Sequence, residues 1–402
     1  MIQWECEQAI ESSRRTRPCR ILAQCLAQVL NLVPRHDFER LAEAHHVGRK
    51  LRSISRWSQF VALTMGQLAG RRSLRDIVAN LDAQGPRLYH LGARRVARSS
   101  LARVNQRQPC ALYEALFGEL YQRCRRRAPG HKFHFKNKLY SIDSSLIDLS
   151  LKLFPWADFN RGKAAMKLHV GLDHAGYPPA FAAITASKTS DIAAARTLRF
   201  PRGSIIVRDK GYTDFAWYKA LTSKGIFFVT RIRDNLIFKV IEAHDTAPHD
   251  ALRFDQTVRM TGQKPARIAL DPLRRVGWRD AETGKDYVFL TNVFHLDAPT
   301  VARLYKERWQ IELFFKWIKQ NLKIKAFLGN SKNAVMTQIW IAFCTCLLLA
   351  YLKFSARLDH SLQQILRLLA LNLFLRRNLL ELLTGKPPGP EDRDQNAQLC
   401  WL

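Results

Sequence analysis

The sequence predicts a mixed α/β protein: an all-α N-terminal domain, an α/β core, and a β-strand insertion that interrupts the core. Three observations carry this expectation. Between about residues 20 and 127 apolar side chains recur at helical spacing, with almost no strand-like alternation. After Gly130 the texture changes to short runs rich in branched and aromatic residues. From about 235 to 293 strand patterns follow one another without helices between them, and helical spacing returns only at Pro299.

Taken in order, residues 1–19 form an N-terminal extension and 20–130 the helical domain, with apolar periodicity over 21–33, 38–44, 57–68 and 74–81. The run Arg123, Arg125, Arg126, Arg127, Ala128, Pro129, Gly130 reads as a charged linker that closes it. The first part of the core, 131–233, holds expected strands at 139–143, 167–173, 180–185, 204–209 and 226–231 and a helix at 215–223. The insertion, 234–297, holds expected strands at 236–242, 253–260, 266–270 and 287–290, with Thr261-Gly262 and Thr283-Gly284 as turns. Helices occupy 298–384, and the Pro- and Gly-rich tail from Gly385 to the end is expected to be disordered.

The chain carries 64 Lys and Arg against 34 acidic residues, a formal charge of +30. That excess is more than solubility requires and implies a large polyanionic partner, nucleic acid or anionic membrane. One uncharged stretch, 333–352, reaches the length of a spanning helix, but it contains Asn333, Thr337, Gln338, Thr345 and two cysteines and has no counterpart, so a buried core helix is expected. Glu5, Glu7 and Glu11 precede any apolar run, which is not the order of a signal peptide, so a cytoplasmic protein with no membrane partner is expected. Cys6, Cys19, Cys25, Cys110, Cys124, Cys344, Cys346 and Cys400 include no Cys-x-x-Cys pair, which argues against structural zinc and a disulfide framework and for small core residues.

Asp143 ends the apolar run Leu-Tyr-Ser-Ile-Asp, and Asp209 ends Ile-Ile-Val-Arg-Asp before Lys210-Gly211-Tyr212. Carboxylates at the carboxyl ends of core strands stand where open α/β sheets hold their active sites, although aspartate also ends strands simply as a turn former. A third carboxylate has an unusual escort. On one helix over about 299–322, a rotation of roughly 100° per residue sets Tyr305, Arg308, Glu312, Lys316 and Lys319 on a single polar stripe. Leu304, Ile311, Phe315, Ile318 and Leu322 gather on the adjoining stripe, which can pack on the sheet and aim Glu312 at the strand ends. The alternative is a solvated face on which Glu312 pairs with Arg308 and Lys316.

Three converging carboxylates require positive charge, and in a phosphoryl-transfer enzyme that is a pair of divalent ions, for which oxygen ligands suit magnesium or manganese. Tyr305, Arg308, Lys316 and Lys319 would then hold DNA phosphates in register.

The spacing Tyr305, two residues, Arg308, three residues, Glu312, six residues, Lys319 matches the Tyr-Arg-Glu-Lys motif of the insertion-sequence-four family of bacterial DDE transposases. Asp209-Lys210-Gly211-Tyr212 resembles that family's second-aspartate motif, Asp-x-Gly-Tyr, and Tyr140-Ser141-Ile142-Asp143-Ser144-Ser145 resembles its first; the resemblance covers roughly residues 30–383. It implies a ribonuclease H-like catalytic core interrupted by a β-strand domain between the second Asp and the Glu, with Asp143, Asp209 and Glu312 as catalytic residues and ligands of two Mg2+ ions, replaceable by Mn2+. It also implies cut-and-paste transposition, in which a nicked strand's 3′ hydroxyl makes a hairpin that is reopened before integration. Trp309 matches a tryptophan near the flipped end base, and Tyr212 joins the expected DNA contacts. Trp278, inside the insertion, is either a stacking residue or a core residue of the insertion. The expected partners are double-stranded DNA, as transposon ends and as target, and a second copy of the chain in the DNA complex.

End binding falls to the basic helical domain. Residues 91–107 resemble the turn and second helix of a helix-turn-helix, with Ser99 as cap and Arg103, Gln106 and Arg107 turned outward, although an ordinary solvated basic helix has the same pattern. Two other readings stay open: a DNA-binding regulator or inactive transposase remnant, which would have no need of three carboxylates, and a ribonuclease H-like nuclease that does not join strands.

Overall fold

The computed structural model describes residues 23–160, 163–233, 236–245 and 249–387. The expected N-terminal extension, the start of the 21–33 helix, nearly all of the expected disordered tail, and Cys6, Cys19 and Cys400 lie outside the described residues.

The N-terminal region is helical, as its periodicity requires: α1 (Cys25–Leu30), α2 (Arg35–Ala44), α3 (Arg56–Leu68), α4 (Leu74–Ala83), α5 (Arg98–Arg107) and α6 (Ala111–Arg125). Ser55 and Ser73 cap α3 and α4 by accepting from the Ser58 and Asp76 amides, which fixes where each helix starts. Two expectations are corrected here. The run beginning at Arg123 does not open a linker: α6 continues through Arg125, because Arg123 and Arg125 in its last turn complement the negative end of the helix. Ser99 is not a cap either, since α5 starts at Arg98 after Ala97. A 3-10 segment, Gly85–Leu91, and residues 92–97 separate α4 from α5, far more chain than the three- or four-residue turn of a helix-turn-helix.

Ten strands form one sheet: β1 (Leu139–Leu149), β2 (Asp158–Asn160), β3 (Lys163–Asp173), β4 (Pro179–Ala186), β5 (Ile205–Arg208), β6 (Phe227–Arg231), β7 (Phe238–Ala243), β8 (Leu252–Met260), β9 (Leu273–Arg279) and β10 (Asp286–Thr291). Antiparallel β3 lies beside β1 and carries β2 and β4, whereas β5 and β6 run parallel to β1 on its other side. Beyond β6 the sheet continues antiparallel through β10, β9, β8 and β7, so the strands of the expected insertion extend the core sheet.

All four residues of β5 are buried, as expected of a parallel strand covered on both faces. Ile206 packs with Tyr218 and Leu221 of α8 (Phe215–Ser223; α7 is Asp191–Thr197), while Ile205 and Val207 pack with Val301 and Leu304 of α10 (Ala298–Glu307). The strand's two-residue period thus distributes it between two helical layers.

Three sequence expectations about elements fail for identifiable reasons. Residues 266–270 are not a strand; a short helix α9 (Gln263–Arg267) stands there, with Pro265 in its first turn, where a missing N–H costs nothing. Lys219 donates to the Ile268 and Ala269 carbonyls at 2.7 and 3.0 Å and anchors its end. β9 was hidden by its arginines: Arg274 is buried against Asp255, and Arg275 lies over the Phe254 ring at 3.9 Å. The helix expected over 299–322 is broken at Arg308 into α10 (Ala298–Glu307) and α11 (Trp309–Asn321), where the Arg308 and Ile311 amides bond three residues back rather than four.

The uncharged stretch forms α12 (Lys332–Ser355), followed by α13 (Leu362–Asn372) and α14 (Leu379–Leu383). By length and composition α12 could cross a membrane, but its side chains from Thr337 to Ala350 are all buried, against α3, α5 and α6 among other elements. A helix apolar on every side is a core helix. Cys25, Cys124, Cys344 and Cys346 are buried in the same apolar cluster.

Candidate active site

The register of the parallel strands brings the two aspartates together. The last pair between β1 and β5 is Ile142 opposite Arg208, so Asp143 and Asp209 are the next residues on neighbouring strands, which run about 4.8 Å apart. Asp143 does not end its strand, as the sequence led one to expect: β1 continues to Leu149 paired with β3 alone. What ends at Asp143 is the parallel pairing, and that opens the sheet for a side chain from the helix layer.

That layer supplies α10 and α11. Tyr305 donates to Asp209 Oδ1 at 3.0 Å, and Arg308 donates to Glu312 Oε1 at 2.8 Å while standing 3.5 Å from Asp143 Oδ2. Arg308 also lies 5.5 Å from the centre of the Tyr305 ring. The stripe expected on one helix is thus split between α10, which carries Tyr305, and α11, which carries Glu312, Lys316 and Lys319, with Arg308 at the break paired to Glu312 and Ile311, Phe315, Ile318 and Leu322 buried beneath. Lys319 reaches β1, donating to Ser145 Oγ at 2.6 Å and to the Leu146 carbonyl at 2.9 Å. Lys316 is exposed, and Trp309 is 56% exposed.

Burial pushes the Asp143 carboxyl up to about 6. The Ser144 N–H and Arg308 pull it down, and Glu312 and Asp209 push it up, which by itself records that the three carboxylates feel one another. Burial, then the charge of Asp209, raises the Tyr305 hydroxyl to about 12, so it donates rather than ionises.

Tyr212 is a correction among the expected DNA contacts. It is 2% exposed and packs with Trp217 and Ile206, so it supports the floor of the site. Burial and then Asp143 raise its hydroxyl well above the usual range. Arg103 and Arg107 are exposed on α5, in a different part of the fold from the carboxylates.

Sequence reasoning missed several supports. Asp191, first residue of α7, accepts from Ser144 Oγ at 2.7 Å and pairs with Lys167 at 3.3 Å, steadying the backbone beside Asp143. Arg208 is fully buried among Trp217, Tyr218 and Phe228 and donates to the Tyr212 carbonyl at 2.8 Å, while Arg233 donates to the Lys210 and Gly211 carbonyls. Together they fix the turn that follows Asp209. An arginine inside an otherwise apolar strand was the available signal.

A groove of about 660 Å³ opens beside Asp209, between β9, β10 and α10. Trp278, Tyr287, Trp309, Arg231 and Lys306 are among its lining. Trp278 is half-buried there, 4.7 Å from the His249 ring, and packs against the buried cluster that includes Val276 and Phe289.

The donor set around Asp143, Asp209 and Glu312 is all oxygen, which fits hard divalent cations. In this structure Arg308 and Tyr305 hold the carboxylates, and among the described residues no three His, Cys, Asp or Glu side chains stand together in a group that could hold a metal ion.

Carboxylates where the parallel pairing of neighbouring strands stops, cations interleaved with them and a net charge of +30 fit the class of nucleic-acid-processing enzymes. Residues 134–349 match the family model of the transposase DDE domain, and residues 23–94 match a domain of unknown function. A putative transposase, y4zB, of Sinorhizobium fredii is 35% identical over 73% of this chain and 82% of its own. A probable transposase for insertion sequence element IS5377 of Geobacillus stearothermophilus is 28% identical over 65% and 68%. The cryo-EM structure of a piggyBac transposase synaptic complex with hairpin DNA bears a distant likeness in shape, with a TM-score of 0.48 at 12% identity over 96% of this chain and 87% of that one. This chain belongs to the DDE transposases.

Proposed function

We propose that this DDE transposase mobilises an insertion sequence by cut and paste, binding the terminal inverted repeats, cleaving the ends with Asp143, Asp209 and Glu312, and joining them to target DNA as a homodimer on that DNA. The observation that carries the reading is that Asp143 and Asp209 follow the last parallel pair of neighbouring strands, where Arg308 links Asp143 to Glu312 and Tyr305 holds Asp209. The order β4-β3-β1-β5-β6, with antiparallel strands on one side of β1 and parallel strands on the other, supports a ribonuclease H-like core.

When bound by the three carboxylates, a pair of Mg2+ or Mn2+ ions supplies Lewis-acid stabilisation to the attacking and leaving oxygens. The chain's own residues do the rest. Tyr305 orients Asp209, and Ser144 orients Asp143 through its amide at 2.8 Å. Lys316, exposed on α11, and Arg308, half-buried beside the carboxylates, offer cations to phosphates on either side of the scissile bond, and Lys319 adds charge while tying α11 to β1. The aromatic groove beside Asp209 suits an unstacked end base between Trp278 and Trp309, which fits a hairpin route.

The test is a labelled transposon end incubated with Mg2+ and supercoiled target. Cleavage with strand joining supports the transposase reading; cleavage without joining would turn it into that of a nuclease.

A further inference from the structure

We propose that the groove between the 47–54 loop and α5 binds the phosphate backbone of duplex DNA, with Arg49, Lys50 and Arg52 as contacts on the wall facing Arg103 and Arg107. The proposal rests on the transposase reading only for its choice of polyanion, and it gives a role to the domain of unknown function, whose match includes the whole loop.

The groove has a volume of about 830 Å³. Five cations line it, Arg49, Lys50 and Arg52 from the loop and Arg103 and Arg107 from α5, and no Asp or Glu does. All five are exposed, and none forms an ion pair among the described residues. Glu39 and Glu43 line the neighbouring cleft, which shares Lys50 and Leu51 with this groove, and neither of them lines the groove itself. Five like charges around one concave surface repel each other, and a row of phosphates converts that repulsion into attraction while releasing counterions.

The loop is also fixed in advance of binding. Gly48, at φ +74, turns the chain after α2 in a conformation that L side chains rarely adopt. Buried Gln108, just past α5, donates to the Val47 carbonyl at 2.8 Å and accepts from the Val47 amide at 3.4 Å, and Arg56 donates to the same Gln108 side chain at 3.3 Å. Ser53 Oγ meets Ser100 Oγ at 3.3 Å across the groove. Loop and helix are thereby held at a set separation, so the loop's cations need little ordering on contact. The helix-turn-helix that the sequence resembled is absent from the described residues, and this groove offers a concave basic surface in the N-terminal region.

The experiment measures anisotropy of a labelled duplex DNA of random sequence with the full chain, over a salt series, with single-stranded RNA as a second probe. The combined variant Arg49→Glu, Lys50→Glu, Arg52→Glu is compared with a variant of equal charge change at exposed lysines outside the groove, Lys136→Glu, Lys224→Glu, Lys239→Glu. The groove variant should lose duplex affinity by at least about 100-fold and its log–log salt slope should fall by about 3. Equal losses in the two variants, or groove-dependence for RNA alone, would overturn the proposal. Single changes to Gln guard against misfolding, each lowering the slope by about 1 at unchanged melting temperature. If the groove variant binds and cleaves like the parent, the groove proposal fails and the transposase reading stands. If duplex binding depends on the groove while the parent cleaves no transposon end, the transposase reading fails and the groove stands.

Discussion

Arg308 donates to the Glu312 carboxylate across 2.8 Å, and the same guanidinium lies 3.5 Å from Asp143. A single positive group thus offsets two carboxylates that burial and mutual repulsion would otherwise set apart. Replacing Arg308 by Gln removes a charge that competes with any cation drawn to those oxygens. Calorimetric Mn2+ titration of the DNA-free protein should show about tenfold tighter binding for Arg308→Gln, together with slower cleavage, since a phosphate contact is lost. Unchanged Mn2+ affinity would mean that the guanidinium does not compete for the carboxylates.

Glu312→Gln keeps the size of the side chain and removes its charge. Cleavage of a labelled end should fall by at least about 1,000-fold, a few kcal/mol in the barrier, while end binding in the same preparation stays within about twofold. A surface ion pair would contribute only about 0–1 kcal/mol to stability and nothing to cleavage, so a variant that cuts at the parental rate would remove Glu312 from the site.

Lys319 is held by Ser145 and the Leu146 carbonyl, so it ties α11 to β1 as well as adding charge. Lys319→Ala should slow cleavage by about 10- to 100-fold through loss of positioning and leave Mn2+ affinity close to the parent's. Lys319→Arg should recover part of the rate. Loss of metal affinity equal to that of Glu312→Gln would contradict this division of labour.

Asp143, raised to about 6 in the folded chain from 3.8, sets a pH dependence. A folded pKa above the unfolded one means that this group's contribution is fully present below about pH 4 and is lost as pH rises through about 6, because the ionised form is held less well in the fold. Asp143→Asn carries no such penalty. In DNA-free, metal-free buffer its advantage over the parent should grow from pH 4 to pH 7.5 and reach about 1–2 kcal/mol, allowing for the lost contact with Arg308. Thermal melts across that range check it, and a constant difference would contradict the shift.

Asp255 and Arg274 form a buried pair, with nitrogens 2.9 and 2.6 Å from the two carboxylate oxygens, in strands β8 and β9. Asp255→Ala leaves the guanidinium buried beside the Val293 and Leu296 carbonyls alone. It should destabilise the chain by about 3–5 kcal/mol in urea unfolding, whereas replacing both residues by apolar ones should cost far less.

Much was legible in the sequence because it rests on local patterns. The helices over 57–68 and 74–81 follow from apolar periodicity, and the core strands from runs of branched residues. The spacing of Glu312, Lys316 and Lys319 was readable as one face of α11, because a regular helix converts spacing into direction, whereas Tyr305 lies on α10 beyond the break. Other features depended on partners distant in sequence. β9 reads as polar until Asp255 and Phe254 from β8 take up its arginines, and Arg308, at the break between α10 and α11, meets Asp143 from the sheet. The basic groove joins residues about 50 positions apart through Gln108, a glutamine with no local signature. The sequence alone determined the residue types, the faces and the chemistry they offer. Only the tertiary structure decided which charges meet, because strand register and helix docking bring together groups that no local pattern connects.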